Sequence, residues 1–175
     1  FGKKAENFKL KSIENKIISL NDIRGEKATL IMFICNHCPY VKAIIRDLAK
    51  DCNKLKKDGI NSVAIMSNDT KNYPEDSFDN MIKFAKANEF GEMNYLIDET
   101  QEIARKYGAV CTPDFFGYNK DLELQYRGRF RELRDLKPLS SGDSDLKVAM
   151  KMISKTQAGP KEQTPSMGCN IKWFN

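Results

Sequence analysis

The hydrophobic and polar positions along this chain follow the two periods expected of strands and helices. The longest apolar run, residues 28–34, is continuous rather than alternating, and residues 60–67 contain a second, shorter run from Val63 to Met66. Continuous hydrophobicity is typical of strands that are buried on both faces of a parallel sheet. Neither run approaches the roughly 20 apolar residues that span a bilayer. We therefore predict two central strands of a covered sheet.

Helical periodicity follows these runs. From Val41 to Leu55, apolar residues recur at helical spacing, and basic side chains fill the opposite face until Gly59. This pattern predicts one amphipathic helix. Further helices are predicted around residues 81–85, between Asp98 and Gly108, and from Ser144 onward. At the second of these, the sequence predicts a capping box in which Asp98 caps the helix and Gln101 reciprocates.

Shorter strands complete the predicted fold. Residues 8–20 contain two short strands, residues 95–97 another, and residues 114–118 and 122–127 a hairpin. Helical crossovers imply parallel pairing in the first half of the sheet, and the tight turn implies antiparallel pairing in the second. We predict an α/β fold whose mixed central sheet has helices on both faces, with an N-terminal β-hairpin extension and a C-terminal tail.

Length and composition fit one domain over residues 1–175, with residues 157–175 as a tail packed on it. The net charge of +5, from 29 basic and 24 acidic residues, is spread along the chain. Nucleic-acid binding would need a concentrated basic face, so we expect no nucleic-acid partner. No targeting leader or membrane segment is evident, which favours a cytoplasmic location without a membrane partner. The sequence does not indicate an oligomeric state.

The cysteines carry the candidate chemistry. Their odd number, five, excludes a fully paired disulfide scaffold. Cys35 and Cys38 bracket the only histidine, His37, where the first buried strand gives way to a helix. Zinc sites use the same Cys-x-x-Cys spacing, but unpaired N–H groups at a helix start stabilise a thiolate. We predict an exposed, nucleophilic Cys35 with a lowered pKa, a resolving Cys38, and a tuning role for His37.

The surrounding motifs resemble one protein group over nearly the whole chain. They are Phe33-x-Cys35-Asn36-His37-Cys38-Pro39-Tyr40-Val41, Ser67-Asn68-Asp69, Tyr73-Pro74-Glu75-Asp76, Tyr107-Gly108-Ala109, Cys111-Thr112-Pro113, Tyr126-Arg127-Gly128-Arg129 and Pro165-Ser166-x-Gly168-Cys169-x-Ile171-Lys172-Trp173. The group is the peroxiredoxin-like branch of the alkyl hydroperoxide reductase/thiol-specific antioxidant (redoxin) superfamily. The resemblance implies a thioredoxin-like fold, a redox-active disulfide, and a cis Thr112–Pro113 bond that lies against the dithiol and shapes the substrate groove.

This sequence departs from the peroxiredoxin pattern at positions that bear on the choice between thiol–disulfide exchange and peroxidase activity. Peroxiredoxins have Thr or Ser three residues before the peroxidatic cysteine and a proline further upstream. With Cys38 aligned to that cysteine, these positions hold Cys35 and Ile31. The candidates for a peroxide-activating arginine are Arg127 and Arg129, which lie downstream. These departures favour thiol–disulfide exchange over peroxidase chemistry.

Three functional hypotheses remain open from the sequence. The first is a cofactor-free thiol–disulfide oxidoreductase that acts on protein or small-molecule thiols and disulfides. The second is a thiol-dependent antioxidant peroxidase in which Cys38 or Cys35 attacks peroxide. The third, from another class, is a metal-binding module in which Cys35, His37 and Cys38 converge with Cys111.

Two further cysteines are auxiliary candidates. Cys111 is expected to be structural, with a resolving role as the alternative. Cys169 lies in the tail, which we expect Ile171 and Trp173 to anchor, and it could also resolve a disulfide. Cys52 falls on the apolar stripe of its helix, so it is expected to pack in the core.

Overall fold

The apolar runs form the centre of a seven-stranded mixed sheet. The computed structural model describes residues 1–175. The elements in chain order are β1 Lys9–Ser12, β2 Ile17–Ser19, α1 Leu20–Ile23, β3 Ala28–Phe33, α2 Pro39–Lys42, α3 Ile45–Lys56, β4 Ile60–Met66, a 3₁₀ turn Pro74–Asp76, α4 Phe78–Ala87, β5 Asn94–Ile97, α5 Glu102–Tyr107, β6 Cys111–Thr112, β7 Asp114–Asn119, β8 Leu124–Tyr126, β9 Leu133–Arg134, β10 Lys137–Pro138, α6 Asp145–Thr156 and β11 Cys169–Asn170.

The strand order across the sheet is β2-β1-β5-β4-β3-β7-β8. β3 pairs in parallel with β4, and β4 with β5, through the predicted helical crossovers. β3 pairs antiparallel with β7, β7 with β8, and the β1–β2 hairpin extends the opposite edge. Every residue of β3 is buried, as expected for a central strand. The predicted mixed sheet is confirmed.

Alternate residues of β3 point into two separate apolar clusters. Leu30 and Met32 pack in the cluster that contains the buried faces of α3, α4 and α6. Ile31 and Phe33 pack in the cluster that contains α1 and α5. Successive side chains of a strand point to opposite faces, so this partition places helices on both faces of the sheet, as predicted.

Two local predictions about helices are wrong. The single helix expected from Val41 to Leu55 is divided into α2 and α3, because the Ile44 N–H bonds to the Val41 carbonyl at 3.0 Å and interrupts the helical ladder. The capping box at α5 does not form. Asp98 instead accepts the N–H groups of Ile103 (3.3 Å) and Ala104 (2.9 Å). No helix of the structure has both the length and the apolar character needed to cross a membrane.

The residue misassigned to that capping box, Gln101, holds the C-terminal tail. Its side-chain amide donates to the carbonyls of Ser67 and Lys172, each at 2.9 Å, and its oxygen accepts the Phe174 N–H at 3.0 Å. Ile171 is buried in the α1/α5 cluster. The tail therefore returns from α6 across the sheet and docks near α5.

Candidate active site

Cys35 and Cys38 lie between the end of β3 and the start of α2. Cys38 is the N-cap residue of α2, and Pro39 follows in the first turn, where a missing N–H costs no helical bond. All five cysteines are free thiols. The prediction that Cys35 is exposed is wrong, since Cys35 and Cys38 are only 1% and 0% exposed. Other parts of the chain therefore cover the dithiol.

The cover consists of Thr112 and the C-terminal tail. The Cys35 Sγ lies 3.4 Å from the Thr112 Oγ1, and the Cys38 Sγ lies 3.3 Å from the Thr112 carbonyl oxygen. The Thr112–Pro113 peptide bond is cis, as the resemblance implied. β11 pairs antiparallel with β6 and sets Cys169 opposite Thr112. This pairing brings the Cys169 Sγ to 2.8 Å from the Cys38 Sγ.

A buried carboxylate lies on the other side of Cys35. Asp76 is fully buried and accepts hydrogen bonds from the Asn36 backbone N–H (2.7 Å) and the Asn68 side-chain amide (3.0 Å). The His37 Nδ1 is 2.7 Å from the Asp76 Oδ2, a close contact without hydrogen-bond alignment. One ligand-type atom from each of Cys35, His37 and Asp76 lies within 4.8 Å of the other two.

Asp76 is the site residue that sequence reasoning did not single out. The sequence contained one signal, because Asp76 ends the Tyr73-Pro74-Glu75-Asp76 motif, which belongs to the resemblance. Pro74 begins the 3₁₀ turn that directs Asp76 inward. His37 stacks on Tyr73, with ring centroids 5.9 Å apart and planes 8° from parallel. The motif therefore forms the wall against which His37 packs.

The surroundings of Cys35 and Cys38 shift the pKa values of the two thiols in opposite directions. Hydrogen bonding with Cys35 first, and then with Cys169 and the backbone of Val41 and Cys169, holds the pKa of Cys38 well below its usual range despite burial. The pKa of Cys35 is raised because its thiol donates to Cys38, because it is buried, and because Asp76 is negatively charged nearby. The prediction of a lowered Cys35 pKa is therefore wrong, and the acidic thiol is Cys38.

The remaining candidates are held away from this chemistry. The Cys111 thiol donates to the Pro113 carbonyl at 3.4 Å, and burial is the main cause that raises its pKa to about 12. Arg127 pairs with Asp114 at 3.0 Å, and Arg129 with Asp145 at 2.6 Å. Neither guanidinium donates to a sulfur, so the structure does not bring an arginine to the dithiol.

The metal-ligand set also differs from the one proposed from the sequence. Cys35, His37 and Asp76 form the group with ligand spacing, whereas Cys38 and Cys111 are not part of it. Cys38 is directed instead toward Thr112 and Cys169. A thiolate, an imidazole and a carboxylate together suit zinc.

A cleft adjoins the cover of the dithiol. Its volume is about 370 Å³, and its walls include Tyr40 and Pro113 together with tail residues Thr164 to Met167. A larger cleft, about 710 Å³, lies over β1 and α5 and is lined by none of the cysteines. The cleft beside Pro113 is lined by none of the cysteines either, and it adjoins the dithiol only through Pro113 and the tail.

Comparison with known protein families shows which family the chain belongs to. The model of the AhpC/TSA family matches residues 1–130, a segment that contains the sheet, the dithiol and the Thr112–Pro113 bond. The chain belongs to the AhpC/TSA family. Membership in the AhpC/TSA family and the thioredoxin-like fold support a redox role for this protein. The segment that contains Cys169 lies beyond the match.

Solved structures resemble the chain at two levels. An uncharacterized conserved protein from Geobacillus kaustophilus is 40% identical, with a TM-score of 0.93, over 99% of this chain and 92% of that one. A hypothetical protein from Sinorhizobium meliloti 1021 is 36% identical, with a TM-score of 0.90, over 99% and 94%. A thioredoxin-family thiol:disulfide interchange protein from Chlorobium tepidum TLS, 18% identical with a TM-score of 0.66 over 88% and 97%, shares the fold. No curated protein matches the chain.

Proposed function

We propose that this AhpC/TSA-family protein is a thiol–disulfide oxidoreductase whose redox-active groups are the thiols of Cys35 and Cys38. In the forward direction, a Cys35 thiol and a Cys38 thiolate become a disulfide while a substrate disulfide is cleaved to one thiol and one thiolate. Two electrons pass to the substrate, and the Cys35 proton leaves with one of the products. Substrates are disulfides of proteins or small molecules, and no organic cofactor takes part.

The observation that carries the proposal is the placement of two thiols, three residues apart at the start of α2, against Thr112 of the cis Thr112–Pro113 bond. The thiolate is the reactive form in disulfide exchange, and a lowered pKa keeps Cys38 in that form. The raised pKa of Cys35 keeps this thiol protonated until it takes part in forming the Cys35–Cys38 disulfide. The proposal gives Asp76 and His37 the task of accepting the Cys35 proton, because both lie within 4.8 Å of one another and of Cys35.

The test is a pair of assays run on single-cysteine variants. Wild type, Cys35→Ser, Cys38→Ser and Cys52→Ala are compared in the reduction of insulin disulfides and in the consumption of hydrogen peroxide. Cys52 is a buried core residue of α3, so its variant controls for the loss of one thiol. We expect both dithiol variants to lose about 100-fold or more of the insulin activity. Wild-type rates in both variants would remove the proposal.

The peroxide assay addresses the second activity of the family. Rapid peroxide consumption that survives Cys35→Ser and disappears in Cys38→Ser would assign the protein as a thiol peroxidase. The structure favours disulfide exchange, since Arg127 and Arg129 are both engaged by carboxylates. A peroxidase would then need to stabilise the leaving oxygen without either arginine.

The grouping of Cys35, His37 and Asp76 favours one function of another class, zinc binding. Such a module would retain zinc after purification without chelator, and both His37→Gln and Asp76→Asn would lower the bound stoichiometry. Glu75→Gln, which changes an exposed neighbouring carboxylate, is the matched control. Metal-free wild-type protein that also fails to bind added zinc would exclude this function.

A further inference from the structure

The tail occupies the one strand edge that borders the dithiol. The two residues of β6, Cys111 and Thr112, both pair with β11. Cys169 lies opposite Thr112, and Asn170 lies opposite Cys111. The Ser166 hydroxyl donates to the Pro113 carbonyl at 2.7 Å. A Cβ added to Gly168 would lie 2.1 Å from the Thr112 carbonyl oxygen, so the backbone approach here is close. An extended polypeptide cannot add to β6 while the tail is docked.

The same docking leaves one cysteine, Cys169, partly exposed beside two buried ones, Cys35 and Cys38. The Cys38 Sγ contacts the Cys169 Sγ at 2.8 Å, and a disulfide is about 2.05 Å long, so the two sulfurs need to approach by less than about 1 Å. Cys169 is therefore the sulfur through which solvent can reach Cys38.

We propose that Cys169 is a third catalytic thiol, which exchanges directly with a small-molecule disulfide or thiol and passes the disulfide inward to Cys38. This inference rests on the proposed thiol–disulfide function. It selects small molecules from the proposed substrates, because a small molecule can reach Cys169 with the tail docked. It also assigns Cys38 as the sulfur shared between two alternative disulfides.

The steps of the relay balance in atoms and electrons. The Cys169 thiol attacks a small disulfide and its proton passes to the departing substrate sulfur, so that a mixed disulfide forms on Cys169 and one thiol is released. Cys38 then attacks the Cys169 Sγ, and the second substrate thiolate departs. Finally, Cys35 loses its proton and attacks the Cys38 Sγ, so that Cys169 leaves as the thiolate and recovers a proton.

The acidity of each sulfur suits its place in this sequence. Burial is the first cause that raises the pKa of Cys169, to about 11, and its hydrogen bond to Cys38 also contributes. A thiol of high pKa is a strong nucleophile once its proton is removed, and the departing substrate thiolate can accept that proton. In the reverse direction, a thiol attacks Cys169 in the Cys38–Cys169 disulfide. Cys38 is then the favourable leaving group, because its pKa is lowered.

The experiment uses oxidised glutathione as the probe and maps its products by mass spectrometry of peptides prepared without reduction. In Cys38→Ser, we expect a glutathione adduct to accumulate on Cys169, because the sulfur that would displace it is absent. In Cys35→Ser, we expect an internal Cys38–Cys169 disulfide. An adduct on Cys35 in the first variant, or a Cys38–Cys111 disulfide in the second, would overturn the relay.

Exchange rates in two variants distinguish a failure of this inference from a failure of the proposed function. We expect Cys169→Ser to slow exchange with oxidised glutathione about tenfold or more while the variant still forms the Cys35–Cys38 disulfide. Fluorescence of Trp173, the only tryptophan, verifies that the tail of this variant remains docked. A wild-type rate in Cys169→Ser with an inactive Cys38→Ser refutes the relay and leaves the proposed function standing. Wild-type rates in both variants refute the proposed function itself.

Discussion

Replacing Asp76 with asparagine tests whether one buried charge controls the acidity of Cys35. The carboxylate and the Cys35 Sγ lie within 4.8 Å of each other, and Asp76 is fully buried. At an effective dielectric constant of about 20, two unit charges at that separation repel by about 3 kcal/mol, or about 2 pKa units. The His37 imidazole, when protonated, offsets part of this charge. We therefore expect Asp76→Asn to lower the pKa of Cys35 by about 1–2 units.

The substitution keeps the local structure because asparagine can still accept hydrogen bonds. Its side-chain oxygen can take the Asn36 N–H that now bonds to the Asp76 Oδ1 at 2.7 Å. The main loss is the second acceptor, which now binds the Asn68 amide. We expect a cost of about 1–3 kcal/mol in the free energy of unfolding, which leaves a folded protein suitable for titration.

The assay is the pH dependence of iodoacetamide alkylation at Cys35, followed by mass spectrometry in a Cys38→Ser background. That background removes the second sulfur from the peptide that contains Cys35. Glu75→Gln is the matched control, because it removes an exposed charge that water and salt already screen. An unchanged or higher Cys35 pKa in Asp76→Asn, or an equal shift in Glu75→Gln, would refute the reasoning.

Three further predictions concern the acidic thiol and the tail. The reduced protein should show thiolate absorbance at 240 nm at pH 7, lost only as the pH falls below the lowered pKa of Cys38 and missing from Cys38→Ser, since the pKa values of the other cysteines are raised. Gly168→Ala should displace the tail from Thr112 and raise the alkylation rate of Cys38 above that of wild type; an unchanged rate would contradict the close approach. Gln101→Ala should lower the unfolding free energy by about 1–3 kcal/mol in chemical denaturation and increase quenching of Trp173 fluorescence by acrylamide, whereas wild-type values for both would show that Gln101 does not hold the tail.

The fold could be predicted from the sequence because the hydrophobic patterns that indicate strands and helices lie within single segments or repeat along the chain. The continuous run from Ala28 is a property of the chain itself, and a strand with that pattern must be covered on both faces. The divided helix after the dithiol was not predictable, because its interruption depends on a single shorter bond between Ile44 and Val41. The apolar spacing of α2 and α3 is the same whether the helix is continuous or divided.

The site was only partly predictable for a different reason. Adjacent residues such as Cys35 and Cys38 can be paired from their spacing, but their acidity depends on groups that are distant in sequence. Asp76 lies beside Cys35 from a turn 41 positions later, and Cys169 reaches Cys38 from 131 positions away. Sequence reasoning therefore assigned the lowered pKa to Cys35 from the helix start and His37. It predicted a packed tail, but not that this tail brings Cys169 against Cys38.

The docked tail also has a consequence for the order of events during synthesis. All seven strands of the sheet lie within residues 9–126, whereas β11 is made later. Domains fold as their residues emerge, so the sheet and the dithiol can form before the tail is available. For that interval, a nascent chain presents Cys35 and Cys38 covered by Thr112 but without the tail. An oxidant that meets the ribosome-bound chain therefore encounters a more open dithiol than one that meets the finished protein.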